Sequence, residues 1–144
     1  MFPHPEESTA YVSYDAGIMA EMAGHLGKEN LQKTYDRIHK MTAVAYVDNF
    51  LSEDLLNTNR MAKLVRPVAL GLARGKRKEV LLQKCVELNR KRDYKVGTGF
   101  LSTPFVLHCL TEAGAIGDAY KMLVNPELGW MKQVKEGATT VWEN

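Results

Sequence analysis

The sequence predicts an all-α domain made of antiparallel helical hairpins. Three observations carry that reading. Apolar residues recur at spacings of three and four through nearly the whole chain. Glycine- or proline-bearing breaks too short for anything but an antiparallel return separate the periodic segments. One stretch near the C-terminus favours an extended backbone, and no strand in the chain pairs obviously with it. With 144 residues, 45% of them hydrophobic and 25% charged, residues 1–144 fit a single helical domain with a buried core.

In chain order, the first helix is expected between Ser8 and Gly27, with Tyr11, Ile18, Met22 and Leu26 as its apolar positions, supported by Tyr14, Met19 and Ala23. Ser8 or Thr9 can cap its start, and Gly27 can take the left-handed conformation that ends it. A second helix runs from about Glu29 to Leu51 with Leu31, Tyr35, Ile38, Thr42, Ala45 and Phe50 on its inner side. The turn at Leu26 to Lys28 makes these two a hairpin.

A third helix spans about Asn57 to Ala73 with Met61, Leu64, Val65, Val68 and Leu72; Pro67 removes an amide donor inside it and predicts a kink or a fresh start. Gly75 separates it from a fourth, about Lys76 to Lys91, whose apolar face is Val80, Leu81, Cys85 and Leu88. The stretch YKVGTGFLSTPF (94–105) breaks the helical pattern and re-enters a helix with Thr103 as cap and Pro104 in its first turn. That helix, about Pro104 to Ala113, ends at Gly114, and Ile116 to Val124 forms its partner, stopped by Asn125 and Pro126. Thr139, Thr140 and Val141 in the closing segment favour an extended conformation.

Three successive hairpins either stack as a solenoid or curl into a toroid. No repeat period survives at the residue level, which favours the toroid. Three hairpins are about half of a six-hairpin ring.

Composition excludes several function classes. A net charge of +2 is too mild to require a polyanionic partner. The apolar stretches fall well short of the roughly 20 residues of a membrane span. MFPHPEES has no basic region followed by an apolar one, so a cytoplasmic location is expected. Cys85 and Cys109 lie within apolar helical patterns without a CxxC partner and read as buried reduced thiols. No metal site or cofactor site is visible. GTGFLSTP lacks the lysine and spacing of a phosphate-binding loop.

The segments TAYVSYDAGIMAEMAGHLGKE (9–29), VGTGFLSTPFVLHCLTEAG (96–114), DAYKMLVN (118–125) and GATTVWE (137–143) occur in a characteristic order and spacing. In these the chain resembles the C-terminal half of the (α/α)6 catalytic barrel of bacterial α-L-rhamnosidases, glycoside hydrolase family 78, over nearly its whole length from Thr9. TGFLSTPF followed by GATTVWE is the specific part. The resemblance implies a partial (α/α)6 toroid and inverting hydrolysis of terminal α-L-rhamnosides. It also implies a general-base role for the glutamate of the ATTxWE motif, here Glu143. Inverting glycosidases hold two carboxyls roughly 6.5 to 9.5 Å apart, one acid and one base. In the family the acid belongs to an aspartate-rich stretch upstream, and these 144 residues hold no such stretch. Ser102 stands where glycine is usual before the Thr-Pro pair. The chain alone is therefore expected not to turn over substrate.

Trp142 and Trp130 resemble aromatic positions near the family's sugar pocket and can pack a ring face on a sugar; they can equally be core or interface aromatics. Glu143 can be a working base or a solvated acid. His108 and Glu112, four apart, are expected to make a surface contact, and His25 and His39 join no constellation. The basic runs around 74–78 and 89–92 would lie about 20 Å apart along one helix, but no aromatics interleave them for stacking on bases, so no nucleic-acid partner is expected. The partners expected instead are a rhamnoside or other carbohydrate, and a covering for the open half of the ring, either a second copy or the missing barrel half. The alternative function is a self-associating or carbohydrate-binding helical module without catalysis.

Overall fold

The computed structural model describes residues 4–142, apart from the side chain of Glu53. Every regular element among them is helical: α1 (Pro5–His25), α2 (Glu29–Phe50), a 3-10 turn (Glu53–Asn57), α3 (Met61–Ala69), α4 (Gly75–Lys91), α5 (Thr103–Glu112), α6 (Ile116–Leu123) and α7 (Trp130–Lys135). The predicted hairpins are present as the packed pairs α1 with α2, α3 with α4 and α5 with α6. The chain divides into two compact units. One holds the described residues up to Leu55 with Leu70–Ala73; the other holds Leu56–Ala69 and the described residues from Arg74 onward.

In the first unit α1 begins earlier than expected. Pro5 occupies the first helical position, where its missing amide costs nothing, and Glu6 and Glu7 complement the positive end of the helix dipole. Ser8 and Thr9 are thus inside the helix and do not cap it. Gly27 ends the hairpin's first arm at φ +66° as predicted.

The face of α1 that is buried differs from the one the large apolar residues suggested. Its buried positions are Ala10, Ser13, Ala16 and Ala23, whereas Ile18, Met22 and Leu26 are exposed. Small side chains let α2 approach closely: a Cβ on Gly17 would stand 3.2 Å from His39 Nδ1, and one on Gly24 would stand 2.7 Å from Gln32 Nε2. The close approach is fixed by polar bonds. His39 Nδ1–H donates to the Ser13 carbonyl at 2.8 Å, and the Ser13 hydroxyl donates to the His39 carbonyl at 3.2 Å. Further along, the Tyr46 hydroxyl donates to Glu6 Oε1 at 2.6 Å and its ring lies 5.5 Å from that of Phe50. Tyr46 is the buried residue of α2, and Leu31, expected inside, is exposed.

The second unit follows the predicted pattern more closely. Met61, Leu64, Val65 and Val68 of α3, Leu81, Cys85 and Leu88 of α4, and Val106 and Leu110 of α5 are buried, while Val80 is exposed. Each such aliphatic side chain contributes about 1.5 to 3 kcal/mol on burial. Pro67 does not restart α3; the helix runs through it and ends two residues later at Ala69. Both cysteines are buried free thiols, as expected. The Cys109 thiol points at the Val65 carbonyl, 3.9 Å away. Burial pushes the Cys85 thiol up to about 12, aided by the neighbouring Cys109. Burial likewise raises Cys109 to about 11, with Glu112 adding to the effect and Lys78 opposing it.

Two details of the tail depart from expectation. Residues 130–135 form the short helix α7, which the sequence pattern did not announce. Ser102, not Thr103, stands at the N-cap of α5, and it makes no capping bond through its side chain. The Thr103 hydroxyl instead donates back to the Gly99 carbonyl at 2.8 Å.

Candidate functional site

The second unit carries a cleft of about 320 Å³ between two short walls. The first wall begins where α4 stops. Asp93 and Tyr94 adopt positive φ, 52° and 59°, and the Tyr94 amide donates to the Asn89 carbonyl, so the chain turns sharply into Val96, Gly97, Thr98 and Gly99. Buried Thr98 lies 2.7 Å from Thr103, hydroxyl to hydroxyl. The Thr103 proton is already committed to Gly99, so Thr98 is the donor of this pair.

Leu128, Gly129 and Trp130 form the opposite wall. Asn125 links the two: its Nδ2 donates to the Asp93 carbonyl at 2.9 Å, while its Oδ1 accepts from the amides of Glu127 (2.9 Å) and Leu128 (3.1 Å). The Val96 amide donates directly to the Leu128 carbonyl at 3.0 Å. Outside these, Lys95 Nζ meets Glu127 Oε2 at 2.6 Å. The Lys95 hydrogen bond and charge hold the Glu127 carboxyl below its ordinary range, and Glu127 raises Lys95 in the same way. Gly129 packs closely here: a Cβ on it would stand 3.1 Å from the Met122 carbonyl oxygen, a tight contact.

The tail closes the site. The Trp142 amide donates to Gln133 Oε1 at 3.0 Å, which ties residues 141–142 to α7. Val141, Trp142, Gln133 and Trp130 complete the lining. Both predicted aromatic residues, Trp130 and Trp142, thus meet at one cleft, and so do the VGTGFLST and GATTVW segments. Glu143, the candidate base, lies outside the described residues. Among the described residues the lining contains indole rings, aliphatic side chains, threonine hydroxyls, a carboxamide and backbone, with no titratable side chain. Such a surface can hold the apolar face of a small polar ring and bond its hydroxyls.

Elsewhere, the charged residues pair locally. Lys78 pairs with Glu112 across α4 and α5. Arg90 Nε meets Asp118 Oδ2 at 2.6 Å, and Lys84 meets Glu87 at 3.0 Å. These pairs neutralise part of both basic runs. His39, assigned no role from sequence, is the bond that fastens α1 to α2. Among the described residues no three His, Cys, Asp or Glu side chains converge to hold a metal ion. No helix among them is long and apolar enough to cross a membrane.

Residues 5–144 match the family model of the bacterial alpha-L-rhamnosidase 6 hairpin glycosidase domain. The chain belongs to this family. It is 32% identical over 143 residues to an alpha-L-rhamnosidase of Formosa agariphila, covering 97% of this chain and 15% of that protein. It is 30% identical to one of Streptomyces avermitilis, covering 94% and 13%. Among solved structures, native alpha-L-rhamnosidase from Aspergillus terreus superposes with a TM-score of 0.83 at 25% identity, over 94% of this chain and 16% of that one. The S. avermitilis enzyme complexed with L-rhamnose gives 0.84 at 27% identity, over 94% and 13%. The all-α hairpin fold is that of the six-hairpin rhamnosidase domain it matches, the fold class predicted from sequence. The chain spans about one seventh of the length of the curated relatives it matches.

Proposed function

We propose that this chain supplies the sugar-binding and general-base part of an α-L-rhamnosidase-type glycoside hydrolase domain, with the cleft of the second unit receiving a rhamnoside or closely related sugar. The observation that carries this reading is the meeting of Trp130, Trp142 and the TGFLST segment at one small cleft. Trp142 and Trp130 pack on the ring face, Thr98 and the 96–99 backbone bond its hydroxyls, and Glu143, next in sequence to Trp142, is the general base. An inverting glycosidase needs a second carboxyl as acid. The described lining offers none, so the chain alone binds without turnover.

Tryptophan fluorescence titrated with L-rhamnose tests binding. A saturable change that is lost in Trp142→Ala and weakened in Trp130→Ala supports the cleft; no change in the folded protein sinks it. Hydrolysis of an aryl α-L-rhamnoside at high protein concentration, with Glu143→Gln in parallel, tests catalysis. Turnover abolished by the substitution would mean that an acid is supplied across an assembly.

A second reading, self-association without catalysis, is favoured by α1 itself. Val12, Ile18, Met19, Met22 and Leu26 stay exposed while its small-residue face packs on α2, and a helix apolar on both sides is ordinarily covered on both. Sedimentation velocity over a concentration series reads this directly. A mass fixed at that of one chain at every concentration would dismiss it.

A further inference from the structure

The three basic residues that close α4 have different fates. Arg90 is taken by Asp118, Lys91 is exposed, and Arg92 is half-buried. The Arg92 guanidinium packs on Gly97, in the space where a side chain would otherwise stand: a Cβ on Gly97 would lie 2.8 Å from its Cζ and closer still to Nη2. Gly97 is part of the cleft lining. Arg92 Nε is buried and has no hydrogen-bond partner, and no carboxylate among the described residues pairs with this guanidinium. One turn earlier on the same side of α4, Asn89 is fully buried with both side-chain polar atoms unpartnered.

A guanidinium stays protonated at any working pH. Partly burying that charge without a counter-charge is costly, and the cost falls when an oxyanion supplies the missing acceptors. Lys95 cannot play this part, because Glu127 already neutralises it. A neutral sugar in the cleft has no use for the charge either, since the rings and hydroxyls of the lining suffice to hold it.

We propose that Arg92 receives an oxyanion substituent, a carboxylate or sulfate ester, carried by a saccharide whose neutral part occupies the adjacent cleft. The proposal rests on the sugar-binding reading of that cleft and adds the charge of the substrate to it. Gly97 is the residue that makes it possible, because any side chain there would displace the guanidinium.

The test titrates the full chain, by tryptophan fluorescence, with three ligands: L-rhamnose, a rhamnose monosulfate, and a disaccharide of rhamnose linked to a uronic acid. A charge-assisted hydrogen bond contributes about 1.5 to 3 kcal/mol, so at least one anionic ligand binds about tenfold or more tighter than rhamnose, and the advantage shrinks as salt rises. Whichever anionic ligand is favoured identifies the source of the oxyanion. Arg92→Gln brings that ligand back to the affinity of rhamnose and leaves rhamnose unchanged, while Arg92→Lys keeps part of the advantage. Equal affinity for neutral and anionic ligands in the unmodified chain overturns the proposal and leaves the cleft intact. An Arg92→Gln protein that loses all three ligands equally overturns it in favour of a purely structural guanidinium. Silence with every ligand removes the sugar-binding reading and this inference together.

Discussion

Single residues in this chain do work that their types alone did not announce. His39 looked like an isolated histidine, yet its ring N–H satisfies the Ser13 carbonyl inside the α1 and α2 contact. His39→Ala removes this bond between the two helices, at a cost of about 0.5 to 1.5 kcal/mol. The expected result is a lower urea midpoint with an unchanged slope; an unchanged midpoint would mean that water replaces the imidazole. The cysteines were legible because each sits inside an apolar helical pattern, and their chemistry follows from burial. Their folded pKa values, about 12 for Cys85 and about 11 for Cys109, lie above the ordinary 9.0. The unfolded chain therefore ionises first as pH rises. The stability that the neutral thiols contribute is complete below about pH 9 and drains away between 9 and 12. Urea midpoints measured across that range should fall, and they should fall less steeply in a Cys85→Ala, Cys109→Ala double variant. Equal slopes in the two proteins would assign the loss to the lysines and tyrosines.

At the scale of elements, what could be read from the sequence followed from period and punctuation. All three hairpins show a spacing of three and four closed by Gly27, Gly75 or Gly114, so their existence was plain. Which face each helix buries was less so. In the second unit the large apolar residues mark the core and the reading holds, but α1 buries its alanines and Ser13 while Ile18 and Met22 face outward. Counting bulk cannot reveal a contact that depends on smallness. The helix α7 was missed because six residues are too few for a period to show. The two halves of the cleft were legible as motifs, but not the clasp between them, since the Asn125 bond that joins them reaches the Asp93 carbonyl 32 residues away in sequence. Asn125→Ala deletes one donated and two accepted bonds at once. The amides of Glu127 and Leu128 should then exchange with solvent much faster, and rhamnose affinity should drop with them, while amides in α3 and α4 keep their protection. Slowed exchange at 127 and 128, or a general loss of protection, would contradict a local clasp.

For the whole molecule, the constraint is the disproportion between what the chain buries and what its family builds. The family domain is named for six hairpins; the described residues form three, and the chain spans about one seventh of the curated relatives' length. On α1 an apolar face stays exposed. Its outward residues Ile18 and Met22 lie four apart, so they share one face, and both are about half exposed at 40% and 51%. Were that face meant for water, converting it to charge would be nearly neutral in every respect. If another helical surface covers it, charge should act selectively: association is lost while the hairpin, held by the small-residue face and the Ser13–His39 bonds, is spared. The double variant Ile18→Lys, Met22→Glu separates these cases, because lysine and glutamate at that spacing pair with each other and keep the helix intact. Its urea midpoint should stay within about 0.5 kcal/mol of the unmodified chain. Any concentration-dependent mass should vanish, and binding of a hydrophobic dye should fall. A variant that still associates would place the contact elsewhere on the chain. One that unfolds would show that these side chains belong to the hairpin's own core.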